Sequence, residues 1–277
     1  MKDTDTIPVK TVVISGAAGG IGTVLVQNFA EFGYNIIAVD IGNKLVTKFK
    51  DLKNVIIKIC DITNLEQVNS LAKELDLEEK GLDILICLAG IYDTYPVTEA
   101  DPSLLKQIMA VNLFGTVSLV NVFLKPLIKS GGRVIVVSSE SYKIQAMFQP
   151  YMLSKAALEA YCRVARQELA LKGVTLTVVR PGAIRTPLLN WMSLPGRPGE
   201  YQIYGREFNA SLKMSKKMVG RITSPEKVAG KILKVSTVTK PRRIIRINNN
   251  PVLTLVSLLP VSIIEWLIIR MFGRKEN

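Results

Sequence analysis

Tyr151 and Lys155 stand four residues apart in the segment Tyr151-Met152-Leu153-Ser154-Lys155. In a helix that spacing puts both side chains on one face, so a phenol and an ammonium share one space. A free phenol has a pKa of about 10, too high for a base near neutrality, and a fixed neighbouring cation favours the phenolate. The pair is therefore suited to giving and taking a proton. The chain has no histidine among its 277 residues. This excludes Ser-His-Asp and Cys-His mechanisms and histidine metal sites, and no metal is expected. Proton transfer must run through Tyr, Lys, Asp, Glu or Cys.

A second group of residues suits phosphate. Gly16-Ala17-Ala18-Gly19-Gly20-Ile21-Gly22 lies between the apolar run Thr11–Ser15 and an apolar stretch of helical period. Small residues permit a tight turn there and let backbone N–H groups approach a pyrophosphate at a helix N-terminus. Asp40 ends the next apolar run. A carboxylate at that point accepts hydrogen bonds from the adenosine ribose hydroxyls and repels a 2′-phosphate, which favours NAD. Lys44, close by, keeps NADP open.

These residues need a frame. Thr11–Ser15, Asn35–Asp40, Val55–Cys60, Asp83–Leu88, Arg133–Ser138 and Thr175–Arg180 read as short, doubly buried strands, and a further strand is expected near Arg243–Ile247. Ile21–Phe32, Leu65–Leu75, Pro102–Leu127 and Ser154–Lys172 carry apolar residues at helical spacing, and Pro225–Val235 follows later. Gly33, Gly81, Gly131 and Gly173 sit where helices should stop. The alternation predicts an α/β fold: a Rossmann-like, doubly wound parallel sheet of about seven strands with helices on both faces. One domain over residues 1–247 is the economical reading, with an irregular substrate loop at about 187–222 and an apolar extension at 248–277. Cys60, Cys87 and Cys162 are scattered, which fits buried thiols in a reducing compartment.

With these motifs assembled in order, the sequence resembles the short-chain dehydrogenase/reductases, in their shorter, single-domain branch. The resemblance covers roughly residues 10 to 190 and continues more weakly to 247. Ser15-Gly16-Ala17-Ala18-Gly19-Gly20-Ile21-Gly22 is similar to the family's TGxxxGIG, with Ser for Thr. Asp61-Ile62-Thr63 matches its adenine-contacting Asp-apolar-Thr, and Cys87-Leu88-Ala89-Gly90 resembles NNAG, with Leu88 in place of a polar residue. Arg180-Pro181-Gly182-Ala183-Ile184-Arg185-Thr186 resembles the PGxxxT that holds the nicotinamide carboxamide.

The resemblance implies a catalytic set of Asn112, Ser139, Tyr151 and Lys155, with Ser138 as the alternative register for the serine. Tyr151 would exchange a proton with the substrate oxygen while hydride passes to or from the nicotinamide. Ser139 would hydrogen-bond that oxygen, Lys155 would hold the nicotinamide ribose and lower the phenol pKa, and Asn112 would steady a water leading from Lys155 to bulk. The implied cofactor set is Gly16, Gly19, Gly20, Ile21, Gly22, Asp40, Asp61, Ile62, Ala89, Gly90, Tyr151, Lys155, Pro181, Gly182, Ile184 and Thr186. It further implies a homodimer or homotetramer through Pro102–Leu127 and Ser154–Lys172.

Residues Pro251 to Ile269 are nearly uncharged and apolar, interrupted by Pro260 and Glu265 and followed by Arg270, Arg274 and Lys275. They read as two short helices at a membrane interface; packing on the domain or a partner subunit, and a tail anchor, are the alternatives. This pattern is similar to the extensions of retinol and hydroxysteroid dehydrogenase-like members. The tail, with Trp191, Tyr201, Tyr204 and Phe208, suggests a lipid-, steroid- or retinoid-like alcohol or ketone, unless those aromatics merely pack the loop. Net charge is +13, concentrated over Lys213–Arg246. No nucleic-acid reader motif accompanies it, so nucleic acid is not an expected partner. Met1–Lys10 is polar, with no apolar segment of the secretory kind. A cytoplasmic location with peripheral membrane contact is expected. Rival readings are a 3-oxoacyl reductase of fatty-acid metabolism and a non-catalytic NAD-binding sensor or scaffold.

Overall fold

The computed structural model describes residues 9–144, 146–193 and 200–273, with backbone only for 191–193. Seven strands form one all-parallel sheet: β1 (Thr11–Ser15), β2 (Asn35–Asp40), β3 (Val55–Ile59), β4 (Ile84–Cys87), β5 (Arg133–Val137), β6 (Thr175–Pro181) and β7 (Ile244–Ile247). Their order is β3-β2-β1-β4-β5-β6-β7. The order reverses between β1 and β4, and a doubly wound sheet opens a crevice at the carboxyl ends of such strands.

Successive strand residues face opposite sides of the sheet, and each side has its own core. Val13, Ile37, Val39, Leu85, Val134, Val136 and Val178 pack under three helices on one side. These are α3 (Leu65–Leu75), α6 (Gly115–Val122) and α8 (Pro150–Ala170), with α5 (Pro102–Met109) packed on α8. Val12, Ile14, Ile36, Ala38, Ile84, Ile86, Ile135 and Val179 face the other side. There they meet α1 (Gly20–Glu31), α2 (Lys44–Phe49) and α10 (Pro225–Thr237). Short helices α4 (Leu77–Lys80) and α7 (Leu124–Lys129) complete the frame, and α9 (Gly205–Met218), α11 (Pro251–Val256) and α12 (Val261–Phe272) stand at the carboxyl edge.

Two sequence expectations need correction. Pro102–Leu127 is not one helix: α5 passes through a π turn, Ala110–Phe114, into α6, which stops at Phe123 before α7. Pro126 explains the second break, because it has no N–H for a continuing helix and fits only the first turn of a new one. By length and composition Pro102–Val122 could cross a membrane, yet Ile108, Thr116 and Leu119 are buried in the molecule. The stretch after Pro181 is not irregular throughout, since α9 runs from Gly205 to Met218. Ser211 and Ser215 interrupt its apolar period and hide it.

Candidate active site

The functional segments meet at the carboxyl edge, where they wall a cavity of about 830 Å³. β1 delivers Gly16, Gly19, Gly20, Ile21 and Gly22 to one wall; β4 delivers Gly90, β5 Ser138 and Ser139, and β6 Pro181, Gly182, Ile184 and Thr186. Tyr151 and Lys155 enter from the first turns of α8. Pro150 stands in that first turn, where a missing N–H costs nothing.

The glycine loop is as close-packed as its sequence suggests. Gly16 has φ +71°, a left-handed conformation, and a Cβ on it would lie 2.7 Å from the Ala89 backbone nitrogen. A Cβ on Gly20 would lie 2.7 Å from Thr186 Cγ2, so the loops after β1 and β6 touch across the cavity. No side chain caps the N-terminus of α1 and no acid occupies its first turn. The exposed N–H end of α1, walled by glycines, fits a dinucleotide pyrophosphate. Asp40 borders this loop, its Oδ2 accepting from Ala18 N at 2.9 Å. The lysine that reaches the loop is Lys48 rather than Lys44: its Nζ donates to Ala18 O at 2.7 Å and to Thr23 Oγ1 at 2.8 Å.

Asn112, Tyr151 and Lys155 are buried, and Ser139 is half-buried beside them. Lys155 Nζ lies 5.7 Å from the Tyr151 ring centroid and donates to Val137 O at 3.1 Å. Burial pushes the Tyr151 phenol up to about 12, against a lowering hydrogen bond with Ser139. Burial also brings Lys155 down to about 8. Desolvation thus outweighs the Ser139 hydrogen bond, and the phenol shifts in the direction opposite to that expected from the pair's spacing alone. Ser139 Oγ lies 2.8 Å from Ser141 Oγ and accepts from Ser141 N. Ser138 Oγ is buried without a hydrogen-bond partner among the described residues.

Asn112 sits in the π turn, fully buried. Its Nδ2 donates to Ile91 O at 3.0 Å and Ser154 Oγ at 2.9 Å, while Oδ1 accepts from Ile91 N at 2.8 Å. Its side chain ties the segment after Gly90 to α8, directly beneath the Tyr151–Lys155 face. Asn112, Asp40, Asp61, Ile62 and Ala89 stand outside the cavity wall. Asp61 Oδ1 accepts from Thr63 N and Oγ1, shaping the turn after β3. Ile62 is buried against Gly115.

Several residues at the site escaped sequence reasoning. Tyr92 packs its ring 4.8 Å from that of Tyr151, and its hydroxyl donates to Gln149 Oε1 at 3.1 Å. Arg180 makes a buried, two-pronged pair with Glu159, Nε to Oε1 at 2.8 Å and Nη2 to Oε2 at 2.7 Å. The Arg180 guanidinium lies over the Tyr142 ring, 4.3 Å from its centroid. Glu159 continues the stripe of Tyr151 and Lys155, and a charge in a buried stripe was the available signal. The aromatic cluster is a correction: Tyr201 and Phe208 are buried with Tyr95 and Phe148, and Tyr204 packs against them, in a satellite core. The Trp191 side chain lies outside the described residues. The apolar cavity wall comes instead from Ile144, Met147, Met214 and Met218 and from α11 and α12.

Residues 10–193, more than half of the chain, match the family model described as short chain dehydrogenase. The chain belongs to the short chain dehydrogenase family. This short chain dehydrogenase is 28% identical over 245 residues to rat (Rattus norvegicus) estradiol 17-beta-dehydrogenase 2; the match covers 81% of the chain but 64% of the rat protein. Diacetyl reductase [(S)-acetoin forming] of Staphylococcus epidermidis is 29% identical, over 65% of the chain and 73% of that protein. Among solved structures, a short-chain dehydrogenase from Streptomyces avermitilis superposes with TM-score 0.76 at 21% identity, over 98% of this chain and 99% of that one. One from Burkholderia cenocepacia in complex with NADP gives 0.70 at 22% identity, over 96% of this chain and 98% of that one. At those identities the structures establish the fold, and the family binds NAD(P).

Proposed function

We propose that this short chain dehydrogenase interconverts a primary or secondary alcohol and its carbonyl, on an apolar lipid-, steroid- or retinoid-like substrate, with NAD preferred. One observation carries the reading: Tyr151, Lys155 and Ser139 converge in a cavity that also holds the glycine loop, and whose wall takes in many Ile, Leu, Met and Val beside the polar Glu140, Gln149, Arg221 and Asn248–Asn250. The relatives named for a steroid alcohol and for a small diketone span the alcohol–carbonyl chemistry proposed. Asp40, bonded to the glycine loop, supports NAD over NADP, whereas Lys48 beside the same loop supports NADP as the alternative.

The nicotinamide, when bound, supplies the hydride acceptor or donor. The chain's own residues do the rest. The Tyr151 phenol gives a proton to the substrate oxygen in reduction and takes it back in oxidation. The Ser139 hydroxyl donates to that oxygen and stabilises the charge developing on it. Lys155 holds ribose hydroxyls and offsets the phenolate charge, and Asn112 fixes α8 against the segment after Gly90. Gly16, Gly19, Gly20, Ile21 and Gly22 hold the pyrophosphate. Pro181, Gly182, Ile184 and Thr186 hold the carboxamide end, and Asp40, Asp61, Ile62, Ala89 and Gly90 the adenosine side and the strand edge. Exposed Phe114, Leu153 and Val164 support pairing of copies through α5–α6 and α8. A catalytic unit over residues 1–247, with a substrate loop at 187–222 and a lipid-contacting extension at 248–277, completes the reading.

The test is purified protein with NAD or NADP and a panel of alcohols, read by absorbance of the reduced nicotinamide. Tyr151→Phe is expected to lower kcat/KM by about 10²–10⁴-fold. Equal turnover by both proteins ends the proposal; NAD binding without turnover by the parent favours a sensor.

A further inference from the structure

The two C-terminal helices have two apolar sides. Ile264, Ile268 and Phe272, spaced by four, line the cavity together with Leu267 and Met271, and α11 adds Leu253 and Val256. The other side faces outward: Val252, Leu255, Leu258, Val261, Trp266 and Ile269 are each more than half exposed, Leu258 reaching 77%. Neither helix contains a buried residue. A contiguous apolar surface of this kind marks a binding face.

Length and charge indicate what covers it. α12 has 12 residues, about 18 Å at 1.5 Å per residue, against a hydrocarbon core of about 30 Å. Pro260 separates it from the six residues of α11. Such helices lie in an interface rather than cross it. The Arg270 guanidinium stacks 5.0 Å from the Trp266 ring centroid, an amphipathic pair suited to the headgroup level. α9 packs on α12 and carries exposed Lys213 and Lys217, with exposed Arg221 just beyond. Glu265 is the single acid of α11 and α12. Basic residues beside an apolar face match an anionic leaflet, not a second copy of the same basic chain.

We infer that α12 is a wall shared by the substrate cavity and an anionic lipid bilayer, through which a membrane-dissolved alcohol or ketone enters the cavity. This rests on the apolar-substrate reading above. α11, which precedes that wall in the chain, is tied to the serine segment. Lys143 Nζ reaches Thr254 Oγ1 of α11 at 3.3 Å and Glu140 Oε2 at 2.8 Å, and Glu140 follows Ser139 in the chain.

The test uses the full chain and a Trp266→Glu/Ile269→Glu variant, both positions outside the cavity wall. Vesicles of phosphatidylcholine alone, and of phosphatidylcholine with phosphatidylserine, are floated with each protein. The parent is expected to float with the anionic vesicles and be released by high salt, and the variant to bind at least tenfold more weakly. With a long-chain secondary alcohol carried in anionic vesicles, the variant's apparent KM is expected to rise about tenfold at unchanged kcat. A short water-soluble alcohol should be turned over equally by both, which also shows that the variant folds. A parent that stays with the soluble fraction overturns the inference. So does a variant that turns over the vesicle-borne alcohol as the parent does, or one whose sole change is dissociation of a dimer. Flotation needs no catalysis, so docking and the oxidoreductase reading fail separately; absence of any turnover in the parent ends that reading and the access route with it.

Discussion

Replacing Arg180 by Met is expected to be among the costliest single changes in this molecule. In the parent the guanidinium meets both oxygens of Glu159 at 2.7–2.8 Å, and the side chains are 7% and 3% exposed. Burial opposes the arginine charge, but the Glu159 hydrogen bond and charge, together with Tyr142 and Glu140, more than offset it, and the Arg180 pKa is raised on balance. Removing the guanidinium leaves a buried carboxylate without its hydrogen-bonded partner, facing only the Lys155 and Arg166 charges that it does not bond, which costs about 3–5 kcal/mol. The cation–π contact with Tyr142 adds about 0.5–1 kcal/mol. At roughly 2–4 °C per kcal/mol for a chain somewhat shorter than this one, the melting temperature should fall by about 7–24 °C. Arg180→Met/Glu159→Leu removes both charges at once and should recover most of that loss. Urea unfolding, with the midpoint read at constant slope, measures all three proteins. The reasoning is refuted if the single variant lies within about 1 kcal/mol of the parent, or if the double variant is as unstable as the single one.

Gly22→Ala should abolish nucleotide binding by calorimetry, because the new Cβ would run into Gly16 O and sit 2.7 Å from Ala17 Cα, both backbone; retained affinity would mean that the loop yields. Lys155, brought down to about 8 from 10.5 by burial, sets a pH dependence. Below pH 8 both folded and unfolded chains hold its proton; above it the folded state releases the proton first, so stability rises with pH. From pH 8 to 10 the gain is about 2–3 kcal/mol in the cofactor-free protein, and Lys155→Met should lack it in urea midpoints. Tyr151, raised from 10 to about 12, acts oppositely and only above pH 10, outside that window. Alcohol oxidation should therefore climb steadily with pH up to 10 as phenolate becomes more populated, and a flat profile would argue against Tyr151 as the base.

The frame was legible because parallel strands buried on both faces leave runs such as Val12-Val13-Ile14 and Val134-Ile135-Val136, and glycines mark the helix ends. The proton-transfer pair was legible because helix geometry turns a four-residue spacing into a shared face. Its electrostatics were not: whether a cation lowers a phenol depends on how dry the pocket is, which spacing does not encode. The Arg180–Glu159 pair joins residues 21 apart on β6 and α8, and nothing local specifies that meeting. α11 and α12 were readable as apolar helices, but which side turns inward depends on the cavity they cover. In the satellite core, Tyr95 and Phe148 come from loops distant in sequence, so the composition of the loop around Tyr201 and Phe208 could not tell packing from ligand contact.

Every segment proposed for chemistry leaves the sheet at one margin, from Gly16 after β1 to Asn248 after β7, while at the opposite margin the described residues supply the helix-to-strand connections. Labour is thus divided along each strand. Changes near Thr11, Ile84 or Thr175 should alter how long the molecule survives without altering what it acts on. A new substrate could be reached by rewriting loops at the working rim, with both hydrophobic layers left untouched.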